Sequence, residues 1–206
     1  MFNMRKYLLL HILIVSFVFL YPPVMLTGDG PQITLNSSYR DLSVYQVLLI
    51  SNVSIRKKHD YGFYGYSTIS HRYENKSING DNVVIAHATG LMWYQSGSEK
   101  EMDWNKARQW VKDLNSRGYA GFSDWRLPTV EEAASLLESG KKAGDLYINA
   151  VFDVTQSGIW TGDKNDNASY LDGAWSVRFK GAYGGGNVCW LYGNASNYVR
   201  PVRSMK

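Results

Sequence analysis

The sequence is short of cysteine and of charge, and each shortage excludes a class of protein. Cys189 is the single cysteine among 206 residues, which excludes an intramolecular disulfide framework and a zinc site built from several thiolates. Charged residues make up 19% and the formal net charge is +4, so neither a disordered chain nor a nucleic-acid-coating protein is expected. In contrast, aromatic residues make up 14% of the chain, beside 19 glycines. This mixture favours short aromatic strands joined by glycine turns.

The N-terminus has the layout of a secretory leader. Arg5 and Lys6 precede an uncharged, largely apolar run from Tyr7 to Gly28. A basic start followed by such a run is typical of an export signal, so we expect an exported chain, periplasmic or extracellular. No Ala-x-Ala cleavage motif follows the run. Residues 1–28 are therefore either a cleaved signal peptide or an N-terminal anchor, and contact with the inner membrane is expected only through residues 7–26 if they stay uncleaved.

Residues 29–74 are predicted to be an N-terminal extension that precedes the main domain. The apolar stretch at residues 42–50 is compatible with a short helix capped by Ser43 or with a buried strand. Residues 61–66 mix aromatic residues with glycine and predict an ordered loop or an edge strand.

Two helices with clear start and stop signals follow. Asp103 is the expected N-cap of the first helix, whose apolar residues recur at helical spacing as far as Gly118. A glycine there tolerates the left-handed conformation that ends many helices. Thr129 and Glu132 form a capping box that starts the second helix, and we expect Gly140 to end it.

The predicted strands lie before and after the two helices. They cover residues 83–85, 91–94, 158–161, 174–179, 188–192 and 198–203. Long polar or glycine-rich loops separate the later strands at residues 162–172 and 180–187. This order predicts an α+β fold with a terminal antiparallel sheet.

Sequence motifs of reactive chemistry are missing. The sequence has no Gly-x-Ser-x-Gly elbow, no phosphate-binding glycine-lysine loop and no His-Glu-x-x-His helix. His59, His71 and His87 do not stand four residues apart, so we expect each to be solvated or singly hydrogen-bonded. Cys189 has no histidine near it in sequence and is predicted to be a buried, inert thiol. We therefore expect no catalytic residue, no metal ligand and no cofactor.

Two acidic segments imitate functional sites. Glu131 and Glu132 resemble a catalytic carboxylate pair, but acids in a first helical turn are explained by the helix dipole. Residues 163–167 resemble a calcium loop, yet Ala168 and Ala174 occupy positions where an EF-hand needs a glycine and an acid. An irregular calcium site within residues 163–172 is the one cofactor alternative left open.

One set of motifs carries a specific resemblance to a known family. Thr-Gly-Leu-Met-Trp ends at Trp93, and Gly-Phe-Ser-Asp-Trp-Arg-Leu-Pro-Thr ends at Thr129, with a tryptophan-containing helix between them. Strands around Trp160, Trp175 and Arg200 follow in the expected order. From about residue 75 to 206 the chain resembles the Lcl C-terminal domain family, a bacterial domain of unknown function named after the last domain of a collagen-like surface adhesin.

The resemblance implies a C-type-lectin-like fold. Two helices would pack on small antiparallel sheets, the first and last strands would pair, and long loops would present a ligand surface. The sequence departs from disulfide-bonded lectins in its single cysteine. It also lacks the Glu-Pro-Asn or Gln-Pro-Asp tripeptide of calcium-dependent sugar binding.

The residues that carry the resemblance are predicted to be scaffold. Trp125 would be a large core anchor, and Arg126 would pair with an acid or with orphan carbonyls. The motif residues assigned to the scaffold are Trp93, Asp124, Trp125, Arg126, Leu127, Pro128, Trp160, Trp175 and Arg200.

We expect an exported, non-catalytic binding module, adhesin- or sensor-like, that recognises a glycan or protein ligand outside the cytoplasm through its loops. The alternatives are a structural component of an envelope assembly or an enzyme like the formylglycine-generating group, which shares the general fold but binds copper with a cysteine pair. The candidate ligand-binding residues are Asp163, Asn165, Asp166, Asn167, Tyr170, Asp172, Lys180 and Tyr183.

Overall fold

The computed structural model describes residues 32–166 and 173–205, which build two β-sheets and three short α-helices. The strands are β1 (Asp41–Leu42), β2 (Val53–His59), β3 (Gly62–Ser67), β4 (Tyr73–Ile78), β5 (Asp81–Ala86), β6 (Leu91–Tyr94), β7 (Gly158–Asn165), β8 (Gly173–Arg178), β9 (Gly186–Tyr192) and β10 (Val202–Ser204). The helices are α1 (Val44–Val47), α2 (Trp104–Arg117) and α3 (Val130–Ala134). The α+β class predicted from the sequence is therefore confirmed.

The larger sheet has the strand order β1-β7-β8-β9-β3-β2, and the smaller one the order β10-β6-β5-β4. All pairs are antiparallel except β1 with β7. The closing strand β10 pairs with β6 and not with β4 or β5, which come first in the predicted domain. The expected pairing of the first and last strands is therefore wrong.

The smaller sheet carries apolar packing on both faces. Val84 and Trp93 belong to one cluster of buried residues, while Val83, Ile85 and Met92 belong to a second. Successive side chains of a strand point to opposite faces. The continuous apolar run in β5 is thus explained by a sheet that separates two halves of the core.

Helix α2 forms as the sequence predicts. The Asp103 carboxylate accepts a hydrogen bond from the Lys106 backbone N–H at 2.8 Å. Gly118 follows the last turn with φ 66° and ψ 42°, the left-handed conformation expected of it.

Helix α3 begins at the predicted capping box but ends early. Both bonds of the box between Thr129 and Glu132 are present, yet the helix stops at Ala134 and does not reach Gly140. The Leu137 N–H bonds three residues back, to the Ala134 carbonyl, in a tighter turn, while the Leu137 carbonyl accepts from the Ser67 N–H of β3 at 2.8 Å. The Glu138 N–H, which would continue the helix by donating to the Ala134 carbonyl, donates to the Tyr147 carbonyl at 3.0 Å, so the helical hydrogen bonding ends there.

The predicted N-terminal extension forms part of the larger sheet. The helical alternative for residues 42–50 is confirmed, because Ser43 caps α1. The loop or edge strand expected at residues 61–66 is wrong, since β3 lies between β2 and β9. Gly62 and Gly65 permit this close pairing: a Cβ would lie 2.0 Å from the Val188 carbonyl oxygen at Gly62 and 2.5 Å from that of Ser54 at Gly65.

The last predicted strand is shorter than expected. Residues 198–203 were expected to be a strand, but β10 contains only Val202–Ser204. Pro201 has no N–H to donate to a ladder, although its carbonyl accepts from the Tyr94 N–H at 3.0 Å. Tyr198 makes an isolated parallel bridge to Ile159.

Most of the predicted scaffold residues are buried, whereas Asp124 is exposed and Arg126 is partly exposed. Arg126 forms an ion pair with Glu132, and Arg203 donates from Nε and Nη2 to the two carboxylate oxygens of Asp124 at 2.7 and 3.1 Å. The Pro128 carbonyl accepts from the Gly162 N–H at 2.8 Å. The other motif residues are buried, namely Trp93, Trp125, Leu127, Trp160, Trp175 and Arg200.

Within the described ranges, no helix is both long enough and apolar enough to cross a bilayer. The leader at residues 1–28 lies outside those ranges, so its two alternatives stay predictions.

Candidate functional site

The first predicted binding loop does not present all of its residues to solvent. Strand β7 continues to Asn165, where the sequence predicted a loop from residue 162. Asp163 and Asn165 are therefore buried in a strand, which corrects their assignment as ligand-binding loop residues. The extension arises because β1 pairs in parallel with this end of β7, a partner that is distant in sequence. Asp166 is exposed just after the strand.

Asp163 joins two segments of the chain that are distant in sequence. Its carboxylate accepts hydrogen bonds from the Arg40 N–H at 2.7 Å and from the Val130 N–H at 2.6 Å. Burial raises the pKa of Asp163, although both hydrogen bonds act in the opposite direction. Because each carboxylate oxygen already accepts a backbone N–H, this residue is a poor calcium ligand.

The remaining residues of that loop lie outside the described ranges. They are Asn167, Tyr170 and Asp172. Among residues 32–166 and 173–205, no group of three His, Cys, Asp or Glu side chains could hold a metal ion. The irregular calcium site at residues 163–172 stays a prediction.

The second predicted loop leads to a surface built mainly of rings. Lys180 is exposed and lies outside that surface, while Tyr183 is 64% exposed and packs against Tyr64, with ring centroids 5.2 Å apart. We call the surface the aromatic platform and define it as His59, Tyr61, Tyr64, Tyr183, Trp190 and Tyr192.

The rings of the platform form a continuous chain of contacts. The His59 ring lies 5.1 Å from that of Tyr64 and 6.5 Å from that of Tyr61. The Tyr61 ring meets that of Trp190 edge-on at 5.5 Å, and Trp190 meets Tyr192 at 5.2 Å. Edge-to-face contacts at these distances fix ring orientations, so the surface is preorganised.

Three neighbouring strands position the platform. His59 ends β2, Tyr64 lies in β3, and Trp190 lies in β9. Tyr64 is directly opposite Asn187 of β9 in the pairing register. The pairing of β3 with β2 and β9 places His59 and Tyr64 beside Asn187, and it places Trp190 beside Tyr61 at the turn between β2 and β3.

A groove of about 490 Å³ runs beside these rings. His59 Nε2 and Asn187 Oδ1 are hydrogen-bonded at 2.9 Å in its lining. The basic side chains that line it belong to Lys57, Lys58 and Arg178. A groove of this size that joins ring faces to a few polar groups is typical of a small-ligand site.

Three rings of the platform are unusually exposed. Tyr61 is 57%, Tyr183 64% and Tyr192 52% accessible to solvent. Contiguous exposed apolar surface marks an interaction site more often than scattered single residues do. Tyr183 also has φ 55°, a left-handed conformation that bulky residues rarely adopt. Strained conformations of this kind concentrate at ligand-binding positions.

Cys189 lines the same groove but has the properties of an inert thiol. The residue is free and buried, and burial raises the pKa of its thiol to about 11. Reactive cysteines have a lowered pKa, because the thiolate is the nucleophile and the metal ligand. The predicted inert character of Cys189 fits this environment.

The histidines make local hydrogen bonds, but the single contact expected of His59 is wrong, because its Nδ1 also accepts from the Tyr61 N–H at 3.3 Å. His59 bonds to Asn187, His71 Nε2 lies 3.0 Å from the Ser135 carbonyl oxygen, and His87 Nε2 lies 2.9 Å from a Glu74 carboxylate oxygen. Burial lowers the pKa of His71.

Sequence reasoning found one residue of the platform, Tyr183, and missed the other five. The signal available was the aromatic and glycine stretch at residues 61–66, together with the aromatic residues at the end of β9. Sequence alone could not show that these two segments are adjacent, because about 120 residues separate them and β-pairing over that distance has no local signature.

A family model described as the Lcl C-terminal domain matches residues 82–203, which is more than half of the chain. No curated protein and no solved structure matches this chain. The matched segment includes Tyr183, Trp190 and Tyr192 of the platform. His59, Tyr61 and Tyr64 precede the matched segment. The platform therefore combines residues inside the family domain with residues that lie before it.

Proposed function

This chain belongs to the Lcl C-terminal domain family, and on that premise we propose that it is an exported, non-catalytic module that binds a glycan on the aromatic platform. The observation that carries the proposal is the set of connected, exposed rings beside the hydrogen-bonded pair of His59 and Asn187.

Sugar rings suit this combination of groups. The C–H face of a pyranose packs on an aromatic ring, while its hydroxyl groups exchange hydrogen bonds with amide and imidazole groups. Tyr61 and Tyr183 offer the largest exposed areas within the platform. Asn187 can bond hydroxyls through its amide nitrogen while its oxygen stays with His59.

We propose that binding does not require calcium. The sequence lacks the tripeptides of calcium-dependent sugar binding, and the two carboxylate oxygens of Asp163 accept backbone N–H groups. The lectin-like arrangement implied by the resemblance belongs to the same proposal, and the two-sheet α+β architecture supports it.

The inert state of Cys189 supports a binding role over the enzyme alternative. The formylglycine-generating type of chemistry needs a cysteine pair, and this chain has one cysteine, whose thiol has a pKa raised by burial. We place the module outside the cytoplasm on the strength of the leader that begins with Arg5 and Lys6.

The test is an array of glycans and extracellular-matrix proteins probed with residues 29–206, once with calcium and once with chelator. Tyr61→Ala combined with Tyr183→Ala should weaken binding of the sugar that the array identifies by tenfold or more, about 1.4 kcal/mol. Tyr45→Ala is the matched control, because Tyr45 is 70% exposed in α1 and is not part of the platform.

A second variant separates the platform from the first predicted loop. Asp166→Ala, Asn167→Ala and Tyr170→Ala together should leave affinity unchanged if the platform is the site. Loss of binding in this variant alone would move the site to that loop. Capture of a protein and no sugar by the array would favour the envelope-assembly alternative.

A further inference from the structure

A second cleft, of about 500 Å³, lies beside α2 and shares no lining residue with the groove of the platform. We call it the basic cleft. It is lined by Tyr39, Arg40, Asp41, Trp104, Arg108, Val111, Lys112, Asn115, Trp125, Arg126, Leu127, Gly162 and Lys164.

Two of the five basic residues in this lining are neutralised by carboxylates. Arg40 Nη2 lies 2.6 Å from a Glu131 oxygen, and Arg126 Nη1 lies 2.6 Å from a Glu132 oxygen. Both partners come from the first turn of α3. These two arginines therefore serve the scaffold and leave no net charge for a ligand.

The other three basic residues form no ion pair with any acid in the described part of the chain. They are Arg108, Lys112 and Lys164. Asp41 supplies the single carboxylate of the lining. With three uncompensated positive charges against one negative charge, the basic cleft has a net charge of about +2 at neutral pH.

Trp104 holds two of these charges close together. The Arg108 guanidinium carbon lies 4.9 Å from the centroid of the buried Trp104 ring, and Lys164 Nζ lies 5.6 Å from it. Lys112 follows Arg108 by four residues on α2, so these two side chains share a helix face. Like charges in this relation repel each other, and an anion between them would remove the repulsion.

Tyr39 adds a flat wall to the basic cleft. Its ring is 48% exposed, and its hydroxyl donates to the Leu127 carbonyl at 2.9 Å. The ring packs so closely on Gly162 that a Cβ there would lie 2.0 Å from it. Anchored at both points, the ring has an exposed part available to the organic portion of a ligand.

We propose that the basic cleft binds a phosphate monoester, with the phosphoryl group among Arg108, Lys112 and Lys164 and the organic group against Tyr39. A phosphate monoester carries a charge of about −1.5 to −2 near pH 7 and matches the net charge of the cleft, whereas a carboxylate carries one charge. This inference goes beyond the glycan proposal and does not depend on it, since the two sites share no residue.

The experiment measures the affinity of the purified full chain for methyl phosphate and for methyl sulfate by calorimetric titration at low ionic strength and pH 7.5. Methyl phosphate is a dianion at this pH and methyl sulfate is a monoanion of similar shape. We expect methyl phosphate to bind at least tenfold more tightly. Equal affinity for the two anions, or no binding of methyl phosphate, would overturn the proposal.

Two double variants carry the same loss of charge. Arg108→Gln with Lys112→Gln should weaken methyl phosphate binding tenfold or more. Lys100→Gln with Lys142→Gln is the control, because both of these lysines are exposed and lie outside the basic cleft. All four side chains are exposed, so the variants should fold. Equal weakening in both pairs would show unspecific attraction and overturn the proposal.

The source of the phosphoryl group is resolved by two further probes. Glucose 6-phosphate represents a soluble sugar phosphate, and vesicles of phosphatidylcholine with phosphatidic acid present a monoester on a lipid. Binding of either probe that is lost in the Arg108 and Lys112 variant supports the proposal and identifies the source. Binding that is retained in that variant contradicts it.

Discussion

Arg126 and Glu132 form a two-point ion pair, in which Nη1 and Nη2 of the arginine each donate to one carboxylate oxygen at 2.6 Å. Glu132 is fully buried and also accepts from the Thr129 N–H at 2.8 Å. One side chain thus completes the capping box of α3 and fixes the segment that precedes it. These hydrogen bonds to Glu132 give Arg126, and with it the motif around Trp125, a structural role.

Replacing Glu132 should be strongly destabilising. Glu132→Gln leaves the partly buried Arg126 without its counter-charge, and we expect a loss of about 3–5 kcal/mol in the free energy of unfolding. Glu131→Gln is the control, because its partner Arg40 is exposed and such a pair contributes about 1 kcal/mol or less. Denaturant unfolding measures both, and equal losses would show that Glu132 has no special role.

Trp125 should be a principal anchor of the second core cluster. It is 2% exposed, and its ring N–H donates to the Tyr119 carbonyl at 3.0 Å. Trp125→Ala should cost about 3–5 kcal/mol, measured from the denaturant midpoint. Trp125→Phe keeps much of the volume and should cost less. A loss below about 1 kcal/mol for Trp125→Ala would contradict the proposed packing.

The start signals of α2 and α3 were predictable because a helix cap depends on residues within one turn. The side chains of Asp103 and Thr129 each accept a hydrogen bond from the backbone N–H three positions on, and the local sequence is enough to indicate that contact. The end of α3 was not predictable, because it depends on the Glu138 N–H bonding to the Tyr147 carbonyl, a partner outside the helix.

The same distinction explains the candidate sites. The burial of Asp163 follows from hydrogen bonds to Arg40 and Val130, and both donors are distant in sequence. The platform likewise combines Tyr64 with Tyr183 through the pairing of β3 and β9. Such partners are set by global topology, which a single sequence does not reveal.

Cys189 should react slowly in the folded protein and rapidly after unfolding. Its pKa is raised to about 11 by burial, whereas an exposed thiol ionises near pH 8.5. The folded state therefore holds its proton more tightly than the unfolded state. The stability that this difference contributes is complete below about pH 8.5 and is lost as the pH rises towards 11.

The measurement compares the chain with its Cys189→Ala variant between pH 8 and pH 10. The free energy of unfolding of the unchanged protein should fall more steeply, by at most about 1.4 kcal/mol per pH unit. Tyrosines titrate in both proteins and cancel in the difference. Parallel curves, or fast reaction of the native thiol with a disulfide reagent at pH 8, would contradict the assignment.

Residues 1–28 should direct export. A phosphatase that is active only outside the cytoplasm, fused after Lys206, should be active with these residues and inactive without them. Lys6→Glu combined with Arg5→Glu should reduce export, because a basic start orients the leader. Equal activity with and without residues 1–28 would refute the prediction.

Tyr183 allows backbone strain and ligand binding to be measured separately. At φ 55° an alanine retains the cost of the left-handed conformation, whereas a glycine adopts it freely. Tyr183→Gly should therefore be more stable to unfolding than Tyr183→Ala, by about 0.5–1 kcal/mol. Both variants remove the ring that packs against Tyr64, so both should lose the same affinity for the sugar identified by the array. If Tyr183→Ala were the more stable of the two, the left-handed conformation would be refuted. If both variants kept full affinity, Tyr183 would lie outside the binding surface.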